Sequence, residues 1–444
     1  MRHRATILVA LVLVLAPLAL GAERFALPKF KSGYERPALV VPAARADVFE
    51  YIDVAALIVA LAASSYLALV ARSRRWLWVL MAASLAYFGF YRGGCVCAIG
   101  AIQNVTLAAF DGGYTVPLVV VAFFLLPLVA TLLVGRTFCA AVCPLGALQD
   151  IVAIRPVRVP AWIDHGLGLL AYVYLGAAVL FAATGAAFII CEYDPFVSIF
   201  RLVPLARTNA TMEAFGGSTG MLILGGAFLV AGFFIARPYC RWLCPYGAIL
   251  RLLSRASKWH VTITPDECVQ CTLCEDACPF NAILAPTAAE RRPNRLIDRR
   301  RLALLLVAVP VLLAAGGGLG WCLAGPFAQV HYTVQQADRV RAEETGLVEG
   351  TEDISEGFYK THRPREELYA EAAAIRSRFA WGTTLLGVWA GLVVGVKLVH
   401  LSVHRTRTDY EPDRATCLSC GRCFQYCPVE RKRLKTPEGE RGPP

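Results

Sequence analysis

The chain has 444 residues, 57% of them hydrophobic and only 17% charged, with a formal net charge of +11. So little charge excludes an ordinary soluble domain and points to a polytopic membrane protein. The positive balance does not call for nucleic acid, because the arginines stand beside apolar runs, where membrane topology accounts for them.

From the N-terminus, Arg2, His3 and Arg4 precede an apolar run and the small residues Gly21 and Ala22. Residues 1–22 therefore read as a signal peptide, or as a signal anchor that is kept. Residues 23–50 read as an extended, Pro-rich extracytoplasmic arm. Seven further apolar segments follow at 54–71, 76–91, 115–134, 166–190, 219–236, 302–320 and 380–403. Each is close to the length that spans a hydrocarbon core of about 30 Å. Arginines cluster at alternate ends: Arg72, Arg74 and Arg75, then Arg136, Arg155 and Arg158, then residues 237–301, then Arg405 and Arg407. The positive-inside rule places those ends in the cytoplasm, and the membrane expected is a bacterial inner membrane. Residues 51–258 are then a five-helix membrane core. Residues 301–404 form a transmembrane hairpin around an extracytoplasmic loop, 321–379.

Sixteen cysteines are distributed along this topology. Cys268, Cys271, Cys274 and Cys278 form C-x2-C-x2-C-x3-C followed by Pro279, and Cys417, Cys420, Cys423 and Cys427 repeat it before Pro428. This is the bacterial ferredoxin run for [4Fe–4S] clusters. Zinc ribbons instead pair one C-x2-C with a distant second one. In two-cluster ferredoxins the fourth cysteine of each run serves the other cluster. Cys427 is therefore expected with Cys268, Cys271 and Cys274, and Cys278 with Cys417, Cys420 and Cys423. Residues 259–300 and 405–444 are the two ferredoxin halves, both cytoplasmic and separated by the hairpin. The fold class is thus an all-α polytopic membrane protein with about seven spans and a small, split α+β ferredoxin module.

Cys139 and Cys143 lie at the inner end of the third segment, and Cys240 and Cys244 at the inner end of the fifth. Two C-x3-C-P motifs facing one side predict a single four-thiolate cluster, against the alternative of reduced structural thiols or local redox pairs. Cys95, Cys97, Cys191 and Cys322 fall at outer helix ends. One outer cluster, disulfides or another metal all remain open for them. The phrase C-P-x-x-A-[IL] recurs at Cys143, Cys244 and Cys278, and Cys97-Ala-Ile-Gly-Ala-Ile repeats it without the proline. Each such cysteine opens a helix, whose N-terminus offers N–H groups to a thiolate-bound cluster. Outside, Cys191 and Cys322 share Cys-x3-Pro-Phe. His165, His400 and His404 lie near inner helix ends and are read as facing headgroups, with haem or quinone as the alternative. Glu192 and Asp194 are read as loop residues, with a partner contact or proton relay as the alternative.

The motifs at Cys139, Cys143, Cys240 and Cys244, with the eight ferredoxin cysteines, resemble the membrane-bound polyferredoxins of the NapH/NosR type. The likeness covers about residues 115–428. It implies an electron-transfer component of an oxidoreductase system, set in the bilayer between redox partners on the cytoplasmic and periplasmic sides, with quinone as a further partner. The cofactors expected are two [4Fe–4S] clusters in the ferredoxin module, one inner cluster and one outer one; no flavin or haem site is identified. The leading function is a conduit between cytoplasmic or quinol-linked donors and a periplasmic acceptor. The alternatives are a redox assembly or regulatory factor for a metalloenzyme, and a quinol dehydrogenase subunit.

Overall fold

The computed structural model describes residues 47–94, 97–154, 156–208, 219–263, 268–287, 295–403 and 407–435. The signal segment, the arm up to residue 46, Cys95, Arg155 and His404 lie outside the described residues. The chain is mostly helical. Among the described residues, four helices are long and apolar enough to cross a membrane: Val48–Leu69, Ala161–Ala183, Arg299–Cys322 and Arg365–Ser402. Ala98–Phe110, Leu118–Val134 and Gly220–Phe234 are shorter apolar helices.

All seven apolar segments fall on helices, but the second is divided. Arg74–Ser84 is α-helical and continues as a π-helix over Leu85–Tyr91. Buried Asp53 on the first helix pins this wider coil, accepting from Tyr87 Oη at 2.7 Å and pairing with Arg92 Nε at 2.9 Å. The 13-residue helix Ala98–Phe110 is one the hydropathy pattern did not separate from its surroundings. It packs against Leu118–Val134 beyond the Asp111-Gly112-Gly113 turn.

The last two long helices meet backbone to backbone. A methyl group on Gly387 would stand 1.9 Å from Gly316 O, and one on Gly320 would stand 2.1 Å from Thr383 O. Small residues four apart, Gly316 and Gly320 against Gly387 and Gly391, permit this approach, as membrane helices use in the absence of a hydrophobic drive. Trp389 Nε1 donates to Tyr172 O at 2.9 Å and fastens this pair to the Ala161–Ala183 helix.

Arg365–Ser402 has 38 residues, so it is about 57 Å long and overshoots a core of about 30 Å. Its first turns pack against Tyr332–Glu344 and Asp353–Lys360 through Val334, Val340, Phe358, Leu368 and Ala372. The expected loop 321–379 is thus largely a helical cap. At the opposite end the ferredoxin halves join through a two-stranded antiparallel pair, Ile283 with Pro412 and Leu284 with Glu411.

Candidate iron–sulfur centres

The two ferredoxin runs take the same backbone path. Gln270 and Thr272 have φ of 50° and 64°, and Ser419 and Gly421 have φ of 53° and 77°. Left-handed residues cost energy unless their surroundings require them. Alternated with right-handed ones, they turn successive N–H groups inward as a nest, the concavity that holds anionic iron–sulfur groups. The backbone therefore fits the cofactor that the spacing implies. Among the described residues no three His, Cys, Asp or Glu side chains converge as a single ion requires.

Cys427 lines one cavity with Cys268, Cys271 and Cys274, closed by Ile263, Val269, Tyr410 and Val429. Cys278 stands with the second run: the charges of Cys420 and Cys278 act on both Cys417 and Cys423. The fourth cysteine of each run thus sits with the first three of the other, across the transmembrane hairpin. Burial pushes the Cys417 thiol up to about 12. Such a thiol binds as thiolate only by giving its proton away, so cluster loading and proton release are coupled there.

The quartet at the ferredoxin end of the membrane core is held by short helices. Cys139 lies in the π-turn Phe138–Val142, and Cys143 precedes Pro144–Val152. Cys240 lies in Pro238–Trp242, and Cys244 caps Pro245–Ser254 by accepting the Gly247 N–H at 3.3 Å. Cys139, Cys240 and Cys244 all lie within electrostatic reach of Cys143. Gln149 Nε2 donates to Cys240 Sγ at 3.2 Å. Cys139 also packs against the apolar cluster of Cys278, Phe280 and Leu418, together with Cys417, Cys420 and Cys423. This quartet and the nearer ferredoxin set are therefore neighbours.

Between them lies a polar knot that cysteine counting could not reveal. Asp150 is fully buried and pairs with Arg74 at 2.8 Å, Arg422 at 3.1 Å and Arg237 at 3.5 Å. Burial alone would raise its carboxyl pKa, but Arg237, Arg422 and Arg74 outweigh it and hold it far below the usual carboxylate range. Arg74 also donates to Cys420 O at 2.8 Å, and Arg237 donates to Cys139 O. Further arginines cross the same seam. Arg72 Nε meets Glu430 at 2.6 Å, Arg136 donates to Ala415 O at 3.2 Å, and Arg241 donates to Pro279 O at 3.0 Å.

The remaining cysteines divide. Cys97 precedes Ala98–Phe110 and shares a cavity with Cys143, so it lies inside the bundle rather than at its far end. A methyl group on Gly100 would come within 3.2 Å of Cys191 Sγ. Gln103 Oε1 accepts the Ile190 N–H at 2.9 Å and the Cys191 N–H at 3.3 Å. Cys322 is exposed and is not bridged to Cys191. Gly316 and Gly320 face the neighbouring long helix, and two residues turn an α-helix by about 200°. Cys322 therefore points away from that contact. His165 and Lys397 lie within electrostatic reach of one another, as do His165 and His400.

The comparisons agree with the cysteine geometry. A 4Fe–4S binding domain family matches residues 116–161 and 218–264, which carry the membrane quartet, and a second 4Fe–4S binding domain family matches residues 261–284. The chain therefore carries 4Fe–4S binding domains together with helices able to cross a membrane. Its resemblance to the membrane-bound polyferredoxins of the NapH/NosR type holds. It is 28% identical to the regulatory protein NosR of Pseudomonas aeruginosa over 46% of this chain and 29% of that one. It is 28% identical to the methylamine utilization ferredoxin-type protein MauN of Paracoccus denitrificans over 40% of this chain and 60% of that one. An uncharacterized protein of Methanocaldococcus jannaschii is 29% identical over 44% of this chain and 77% of its own length. The chain thus spans less than two thirds of NosR and of MauN. No solved structure matches it.

Proposed function

We propose that this protein carries electrons through the bacterial inner membrane along a file of [4Fe–4S] clusters. The observation that carries the reading is the unbroken succession of cysteine groups. Cys268, Cys271, Cys274 and Cys427 hold the outermost ferredoxin cluster. Cys278, Cys417, Cys420 and Cys423 hold the next, and Cys139, Cys143, Cys240 and Cys244 the third. Cys97 and Cys191 carry an outer site beside them. Cys97 shares a cavity with Cys143 and acts electrostatically on Cys244, so no gap opens in the series. A hydrocarbon core of about 30 Å is too thick for one efficient electron hop, and intermediate sites divide it. The chain's own residues set positions, N–H donors and burial, which are the levers on cluster potential.

The arginine-rich ferredoxin end faces the cytoplasm and meets a soluble or quinol-linked donor. Cys191, the exposed member of the outer pair, provides the outlet toward a periplasmic redox partner.

The test uses purified protein in sealed liposomes, with a reductant outside and an entrapped dye. The parent chain should reduce the dye, and Cys139→Ser should not. Equal dye reduction by both would reject the membrane quartet as a step. Iron and labile-sulfide contents matching only the two ferredoxin sets would reject it independently.

A further inference from the structure

Two stretches of the membrane core are built on one plan. Cys143 opens a helix, and six residues later Gln149 Oε1 accepts the N–H of Tyr239, the residue before Cys240, at 3.1 Å. Cys97 opens a helix, and six residues later Gln103 Oε1 accepts the N–H of Ile190, the residue before Cys191, at 2.9 Å. Both glutamines are fully buried, at 0% exposure. Each ties a helix-opening cysteine to the backbone of a second cysteine from elsewhere in the chain. Gln149 spends its amide N–H on Cys240 Sγ. Gln103 Nε2 is buried beside Cys191 without a hydrogen-bond partner among the described residues. A buried donor with nothing to bind costs roughly 1–3 kcal/mol, so its presence points to an acceptor that belongs there.

The correspondence extends to a third position. Cys244 stands before Pro245 and caps the next helix with its sulfur. Asp194 stands before Pro195 and caps Pro195–Thr208 with its carboxylate, which accepts the Phe196 N–H at 2.8 Å. Asp194 is only 4% exposed. Its charge acts on Cys97 more strongly than that of Cys191 does. It is thus a buried carboxylate within electrostatic reach of Cys97, three residues after Cys191, where the other stretch has a cysteine four residues after Cys240. Cys322 offers none of these relations.

We propose that the outer site is a second iron–sulfur site built on the plan of the first, in which Asp194 supplies a carboxylate ligand beside Cys97 and Cys191, the Gln103 amide donates to the bound cluster, and Cys322 takes no part. It deepens the electron-transfer reading and rests on it. Carboxylate oxygen is a harder donor than thiolate and suits iron–sulfur chemistry less well. The iron it holds is therefore the one most readily lost. A Gln103 amide donating to the cluster would stabilise its negative charge, which favours the reduced site.

The test measures iron per chain, EPR spectra and midpoint potentials on the full-length protein. Cys322→Ser should match the parent in all three. Asp194→Asn keeps a helix-capping oxygen but should lower the iron content per chain and change the EPR spectrum of the outer site. Asp194→Cys should restore the full iron content. Gln103→Leu should keep its iron and lower the potential of the outer site alone, as Gln149→Leu should for the inner one. Iron lost in Cys322→Ser, or iron and spectrum unchanged in Asp194→Asn, would overturn the proposal. A parent chain holding only three clusters' worth of iron would overturn this site while leaving the other three sets standing. Failure of all four sets to bind iron would instead reject the electron-transfer reading itself.

Discussion

Asp150, in the membrane core, and Arg422, in the second ferredoxin half, are 272 residues apart in sequence and 3.1 Å apart in space. The pair is shared with Arg74 and Arg237, whose other contacts run to the backbones of Cys420 and Cys139. One carboxylate therefore anchors the second ferredoxin half and the membrane quartet to a common point.

Asp150→Ala should release that seam. Removing one partner from a buried ionic cluster costs about 3–5 kcal/mol, because the charges left behind remain buried. Faster hydrogen exchange across residues 411–426 and weaker magnetic coupling between neighbouring clusters would register it. The same residue fixes a pH dependence. Its folded pKa is depressed, so its stabilisation is complete above the unfolded value of about 3.9 and is lost as pH falls toward the folded value. Seam exchange should therefore be flat from about pH 5 to 8, with the Asp150 contribution vanishing only in strong acid. A transition near neutrality that Asp150→Asn abolishes would contradict this.

Crossed ligation gives a second expectation. Cys427→Ser should produce the same altered EPR and Mössbauer spectra as Cys268→Ser, although the two residues lie on opposite sides of the hairpin in sequence. Cys278→Ser should match Cys417→Ser. The reverse matching would mean that each run closes on its own cluster.

The glycine contact makes a third. Gly387→Leu would place a side chain where a single methyl already lies 1.9 Å from Gly316 O. The two helices must part, which costs at least the roughly 1–3 kcal/mol of ordinary overpacking. Iron should be lost from both ferredoxin sets, because each draws cysteines from both sides of the hairpin, while the membrane quartet keeps its own. Gly318→Leu is the control, since a methyl group there meets nothing within 4 Å.

Sidedness gives a fourth. Alkaline-phosphatase fusions after Lys258 and after Pro428 should both be inactive, and fusions in the 345–352 turn should be active. Activity at either of the first two sites would invert the proposed orientation.

Much of this arrangement was legible in the sequence, because cluster ligation leaves a covalent spacing that survives without any fold. The runs at Cys268 and Cys417 and the pairs at Cys139 and Cys240 are of that kind. The expected exchange of Cys278 and Cys427 agrees with their positions. The depth of Cys97 was not legible. A helix after Cys97 was expected from the repeated phrase, but it lies outside the counted apolar segments, and only packing shows that it starts beside Cys143. Cys322 shared a phrase with Cys191, but a helix turns side chains by rotation, and the glycine face fixed its direction. Gln103 and Gln149 carried a faint signal, each six residues after a cysteine that opens a helix. The arginines near the inner helix ends were read through topology alone. Arg72, Arg74, Arg136 and Arg241 also bond across the seam, a role that depends on residues far away in sequence.

The division of the ferredoxin cysteines also orders the protein's biogenesis. Translation delivers Cys268 to Cys278 first, then two long helices that must be threaded into the bilayer and paired, and Cys427 last. Neither ferredoxin set has its full complement of sulfurs until that end of the chain has emerged and folded back. The first run acquires its fourth sulfur, and the second run its own, only after the hairpin has closed. Under the proposed ligation, a chain stalled or cut short before residue 417 would hold two incomplete sets, and correct membrane insertion would be a checkpoint ahead of iron loading.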